Sequence, residues 1–272
     1  MFDEILWAAP VFLLVAVRAL AMIETAPLLS SEAIPQVAKI ALAGFAAYGV
    51  FPAAQSVPYF GDLRAELFGL SFVFLVAGEA IIGIIIGFFL TILYAAFSTA
   101  GQFFSLQMGF GASETFDPLS QIENPLMGQY LNLVAMLVFL SAGGFQQLFL
   151  GGFLRSVQSL STPSLLAGRE TVVVLLASGL SRLFLDAIII SLPILGTLFL
   201  TSLATGLISK AAPQINILSE GFPISITVAF VLIAATLPFM VEAFGRVVDS
   251  AFASLEDLYV RVGSQIGGGY GG

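Results

Sequence analysis

Residues 80–113 read AIIGIIIGFFLTILYAAFSTAGQFFSLQMGFGAS, a run of 34 positions between Glu79 and Glu114 without one Asp, Glu, Lys or Arg. A helix crosses the ~30 Å hydrocarbon core of a bilayer with about 20 predominantly apolar residues. The run therefore reads as membrane helix, and at roughly 1.5 Å per residue it is too long for one simple crossing. Charge-free runs recur at 40–61, 124–154, 187–209 and 221–241. Backbone groups in lipid must be paired internally, and no run alternates apolar and polar residues as barrel strands do, so each predicts a helix. The expected fold is an all-α integral membrane protein with about six long hydrophobic segments, at about 5–28, 36–56, 66–107, 127–156, 171–210 and 221–260.

Segments 66–107 and 171–210 would each be roughly 60 Å long if straight, about twice the hydrocarbon thickness. Gly83 and Gly87 in one, and Pro193 and Gly196 in the other, are the expected weak points, because proline removes a helical hydrogen bond and kinks the axis. A bent helix, a tight hairpin and a helix projecting beyond the bilayer all remain open for these two segments.

Composition points the same way. Apolar residues make up 58% of the chain and charged residues 10%, with a mean hydropathy of +1.03, where soluble domains are nearer ~25% charged. Twenty-six Phe against one Trp and six Tyr favour ring packing between helices over a strong interfacial belt. Cysteine and histidine are both absent, which excludes disulfides, thiol chemistry, zinc or haem sites using those ligands, and imidazole acid–base catalysis. No cofactor is implied. The net charge is −8, with nine basic residues scattered singly, unlike the clustered Lys and Arg of a nucleic-acid footprint. The acidic start Met-Phe-Asp-Glu is not a basic signal-peptide region, so insertion through the first hydrophobic helix is expected. Single basic residues such as Lys39, Arg64, Arg155, Arg169 and Lys210 leave orientation undetermined.

The connections carry their own signals. Residues 157–170, with Ser, Thr, Pro and Gly, are the candidate boundary between two parts of the chain. Pro213 is expected to end one helix and Gly221 and Pro223 to start the next, with Gln214, Asn216 and Glu220 between them as a hairpin tip. The glycine tail from Ile266 to Gly272 is expected to be disordered.

Intramembrane charges are the first candidates for function, since each is costly in lipid. Glu79 has no partner nearby in sequence. Arg182 and Asp186 are one turn apart and can pair, and Arg18 and Glu24 in the first segment are further candidate partners. These charges are expected to make interhelical contacts; a proton relay or ion site is the competing reading. Gly83 and Gly87 form a GxxxG that permits close approach of another helix. Gln102 and Gln107 place amides on an apolar helix that runs into Met108, Gly109, Phe110 and Gly111, and then Phe116 and Asp117. Flexible glycines beside bulky apolar side chains can form a movable constriction; an ordinary surface loop has the same composition.

Three motifs, taken together and in order, resemble the FliR family, the flagellar counterpart of the T subunit (SctT) of type III secretion export gates. They are Ala211-Ala-Pro-Gln-Ile-Asn-Ile217 with Gly221-Phe-Pro-Ile224; Gly78-Glu79-Ala80 with Ile81-Ile82-Gly83; and Gly101-Gln102, Gln107-Met108-Gly109 and Asp117-Pro118. Two departures stand out. Family members often carry histidine after a glycine where this chain has Gly143-Gly144-Phe145-Gln146-Gln147, and Glu220 stands where an apolar residue is more usual. The resemblance implies a FliP-like part at 1–165 with a plug-like loop at 109–128, a FliQ-like hairpin part at 166–262, and a flexible tail at 263–272. It implies a non-enzymatic subunit of an export gate in the bacterial inner membrane at the flagellar basal body. The gate would assemble with FliP-like and FliQ-like subunits, associate with FlhB-like and FlhA-like components, and pass unfolded flagellar proteins. Met108, Gly109, Phe110, Gly111, Phe116 and Asp117 are then the plug candidates, and Pro213, Gln214, Asn216, Gly221 and Pro223 the hairpin-tip motif. The alternative is a proton- or ion-coupled secondary transporter using Glu79 and the Arg182–Asp186 pair, which would favour inverted repeats with broken helices. A membrane enzyme has no convergent catalytic cluster to point to.

Overall fold

A computed structural model describes residues 2–61, 69–109, 126–211 and 217–267, and all regular structure among them is helical. Helix α1 is Phe2–Thr25, α2 Gln36–Gln55, α3 the single turn Pro58–Gly61, and α4 Leu70–Met108. Helix α5 is Leu126–Ser141, α6 Gly144–Ser159, α7 Thr162–Ala167, α8 Arg169–Ala211, and α9 Ile217–Gly267. Five helices, α1, α2, α4, α8 and α9, are each long and apolar enough to cross a membrane, and α5 with α6 makes a sixth span if that broken pair is taken together. The all-α membrane fold read from the charge-free runs is the one observed.

Several local expectations are corrected. Helix α4 runs unbroken through Gly83 and Gly87 for 39 residues, so it is no hairpin; the close packing described below gives the two glycines a further role. Pro193 and Gly196 do not break α8 either, which is continuous for 43 residues. A proline removes one N–H and leaves the ladder on either side intact. The expected helix 127–156, in contrast, is two helices. Gly143 has φ +71°, a left-handed conformation that glycine reaches without a Cβ penalty and that commonly stops a helix just past its last turn. Helix α9 begins at Ile217, so Pro223 lies inside it and does not open it, and it continues through Ile266 to Gly267. The part of the glycine tail at 268–272 lies outside the described residues. Residues 157–170, the candidate boundary, are ordered: Leu160, Thr162, Ser164 and Leu165 are buried, and α7 is opened by a capping box between Ser161 and Ser164.

Packing divides the chain into two compact units interleaved in sequence. The first takes residues 1–92, 143–180 and 249–272; the second takes 93–142 and 181–248. Helices α4, α8 and α9 therefore contribute to both.

In the first unit α1 buries Val11, Leu14, Val15, Arg18, Ala19, Met22 and Ile23, the i, i+3, i+4 stripe of a helix facing a core. It crosses α4 at the GxxxG. A Cβ on Gly83 would run into the Arg18 carbonyl oxygen and lie 2.9 Å from the Ala21 Cβ; one on Gly87 would meet Met22 O at 2.7 Å and the Thr25 hydroxyl. Only glycine allows the two backbones this close. Lys39 of α2, 6% exposed, closes the turn between α1 and α2 by donating to Glu24 (3.2 Å) and to Ser30 O (3.0 Å).

The second unit is built on rings. Phe97 and Phe244 meet edge-on with centroids 4.5 Å apart, and Tyr94 lies 5.7 Å from Phe139 and 5.9 Å from Phe244. Lipid tails are as apolar as these rings, so the gain is from packing, at about 0.5–1.5 kcal/mol for a ring pair. The 26 phenylalanines thus serve partly as interhelical filling, as their number foretold. Close to this cluster in sequence, a Cβ on Gly101 would stand 2.6 Å from both Gly128 Cα and Met127 O, so α4 and α5 also cross in backbone contact.

Candidate functional site

The first unit holds a buried ionic centre. Arg18 of α1 and Glu79 of α4 are both fully buried; Arg18 Nε donates to Glu79 Oε2 at 2.6 Å and Nη2 lies 2.5 Å from the same oxygen. An unpaired charge in such a place would cost several kcal/mol of desolvation, so the pair forms because each ion is the other's counter-charge. The terminal guanidinium nitrogens have further acceptors. Nη1 donates to Ser156 Oγ (3.2 Å) in α6, and Nη2 to Leu160 O (3.0 Å) in the segment before α7. On the carboxylate side, the hydroxyls of Tyr59 (3.4 Å) and Thr162 (3.5 Å) stand at outer hydrogen-bond range from Oε1, and the Tyr59 hydroxyl also reaches Thr162 Oγ1 at 3.2 Å. Gly78 leaves room for Thr162, whose side chain would collide with a Cβ there. The Tyr59 hydroxyl pKa is pushed up to about 12, by burial first and then by the negative charge of Glu79.

The centre joins α1, α3, α4, α6 and α7 at one point. All three guanidinium nitrogens have acceptors, and both ions lie beyond solvent. This suits holding helices in register. Among the described residues no group of three or more carboxylates is placed to hold a metal.

The other candidate residues are dispersed. Arg182 is exposed on α8 and Asp186 half-buried one turn on, and their charges attract each other. Gln102 and Gln107 lie on the exposed side of α4. Met108, the last residue of α4, is fully buried, and Gly109 follows with φ +88°. Phe110, Gly111, Phe116 and Asp117 lie outside the described residues, as do Pro213, Gln214 and Asn216; Gly221 and Pro223 are in α9. Sequence reasoning left the partner of Glu79 open and did not single out Tyr59, Ser156 or Thr162. The one local signal was Ser161-Thr-Pro-Ser164, whose capping spacing marks a helix start and hence an ordered segment.

Residues 9–251 match the family model described as bacterial export proteins, family 1. The chain belongs to that family. Its relatives in the family agree with the motif reading. It is 31% identical to the flagellar biosynthetic protein FliR of Escherichia coli (strain K12) over 254 residues, covering 89% of each chain. It is 29% identical to the FliR of Bacillus subtilis (strain 168), covering 93% of this chain and 96% of that one. A more distant family relative is the Yop proteins translocation protein T of Yersinia pestis, 27% identical over 68% of this chain and 69% of that protein. The resemblance to the FliR family, with its link to type III secretion, is thereby borne out. Within this export family the first two residues of Gly78-Glu79-Ala80 acquire a structural meaning: Gly78 makes room for Thr162, and Glu79 is one half of the ionic centre.

Proposed function

We propose that the chain is a non-enzymatic subunit of a flagellar type III protein export gate in the bacterial inner membrane, at the basal body. There it assembles with FliP-like and FliQ-like subunits and associates with FlhB-like and FlhA-like components, and the assembly passes unfolded flagellar proteins. One observation carries this beyond family membership. Exposed apolar side chains recur along α8 from Val173 through Phe184, Leu192, Phe199 and Leu203 to Ile208, a stretch of roughly 50 Å of helix. A bilayer covers ~30 Å. The remainder needs a protein cover, which sister subunits of a helical assembly supply.

On this reading the FliP-like part is 1–165 and the FliQ-like hairpin part 166–262. The loop beginning at Gly109 is the plug, on the strength of the sequence resemblance. Isolation of the chain from membranes with and without co-expressed FliP-like and FliQ-like proteins tests the assembly. A monodisperse complex containing all three is expected. A stable monomer that binds a small solute would overturn the proposal in favour of the secondary transporter.

A further inference from the structure

Residues 147–154 of α6, QLFLGGFL, are wound as a π-helix, a form found mostly as single-turn bulges and often at functional sites. Its two ends are held very differently. At the C-terminal end the Tyr259 hydroxyl, from a side chain 2% exposed, donates to Gly152 O at 2.8 Å. Ser156 Oγ donates to Phe153 O at 2.7 Å while accepting from Arg18. This end is therefore tied to the ionic centre. At the N-terminal end Gly143 is exposed and left-handed, and a Cβ there would meet nothing. Between them, Gln147 Oε1 is buried without a hydrogen-bond partner. A small apolar pocket lined by Ile86, Leu148, Ala251, Phe252 and Leu255 lies against the segment.

We propose that residues 147–154 are a register switch that converts between π-helix and α-helix. The C-terminal end stays fixed at Phe153 and Ser156, and the one surplus residue is passed toward Gly143, which turns the Gly152 carbonyl away from Tyr259. Winding it out turns the N-terminal end by about 100° and moves it about 1.5 Å along the axis, the step of one α-helical residue. Gln146 and Gln147 then face a different direction, which releases the unpartnered Gln147 oxygen from its buried position. The pocket beside Leu148 takes the side chains that repack, and the open site at Gly143 absorbs the change of backbone direction. The Tyr259 hydroxyl is the latch, since it binds the Gly152 carbonyl in the present register. This inference does not depend on the export-gate reading.

Hydrogen exchange followed by mass spectrometry on the full chain in its membrane complex tests it. Tyr259→Phe removes only the latch oxygen, and exchange across 147–155 is expected to rise about fivefold, the factor one neutral hydrogen bond is worth, with 79–92 unchanged. Deletion of Gly151, which has open space around it, removes the surplus residue and locks the α-form. Exchange across 147–155 should then fall below that of the unaltered chain, and adding Tyr259→Phe should have no further effect. Unchanged exchange in Tyr259→Phe overturns the proposal, as does an equal rise at 79–92. A deletion variant that assembles but exchanges like the parent also overturns it; if the deletion variant fails to accumulate, Tyr259→Phe alone decides.

Discussion

Removing one member of the Arg18–Glu79 pair should damage the protein far more than removing both. Both side chains are fully buried, and Arg18 also supplies the donors for Ser156 Oγ and Leu160 O. Glu79→Met would strand a guanidinium with no counter-charge, and Arg18→Met would strand a carboxylate. Truncating one side of a buried pair costs ~3–5 kcal/mol. At ~2–4 °C per kcal/mol for chains of this general size, that is a fall of ~6–20 °C in thermal midpoint. Replacing both by Met removes the stranded charge together with the pair, and such replacements are often neutral or stabilising by 1–4 kcal/mol. Here Leu160 O and Ser156 Oγ lose their donor, which offsets about 1–3 kcal/mol per group. The double variant should therefore sit near the parent and well above either single variant, with a coupling energy of ~3 kcal/mol or more. The assay is a thermal melt of the four proteins, each purified in the same detergent with the same co-expressed partners. Additive single effects, or singles costing under ~1 kcal/mol as exposed pairs do, would refute the claim that this centre is desolvated.

Two further outcomes follow from particular contacts, and a third from the proposed plug. Gly83→Val should separate α1 from α4 and lower the yield of folded chain, because its Cβ enters the Arg18 carbonyl and overpacking costs ~1–3 kcal/mol or more. Gly44→Ala, in α2 with open space around it, should be neutral or stabilising by up to ~1 kcal/mol, and equal yields of the two variants would contradict the packing account. Tyr59 has a folded-state pKa of about 12 against 10.0 in the unfolded chain, so its stabilising contribution is complete below pH 10 and is lost as pH rises through about 12. The phenolate absorbance that distinguishes the parent from Tyr59→Phe should thus appear only near pH 12; its appearance near pH 10 would show the hydroxyl to be solvated. Shortening 109–117 in the assembled complex should make it conduct small ions, measured in planar bilayers, whereas unaltered conductance would remove the plug.

The membrane class and the helical fold were legible in one dimension because each depends on local composition, and the family because its motifs are contiguous in sequence. A run such as 80–108 has no alternative to helix in lipid, whatever packs against it. The GxxxG at Gly83 and Gly87 was likewise readable as a crossing point, since small residues at i and i+4 are the same on any partner. Helix stops were less legible. Gly143 and Gly196 look alike in sequence, yet one ends a helix in the left-handed region and the other lies inside α8. Immediate packing does not separate them either, since a Cβ at each would meet open space.

What the sequence by itself determined was therefore the kind of molecule: long apolar helices, no thiol or imidazole chemistry, and motifs in the order of an export family. What only the tertiary structure decided was which charges meet. Arg18 and Glu79 are 61 residues apart and draw in Tyr59, Ser156, Leu160 and Thr162 from three other segments. A buried charge takes whichever counter-charge and donors the fold brings within a few ångströms. No local spacing encodes that meeting, because helical periodicity specifies a face and not what lies opposite it.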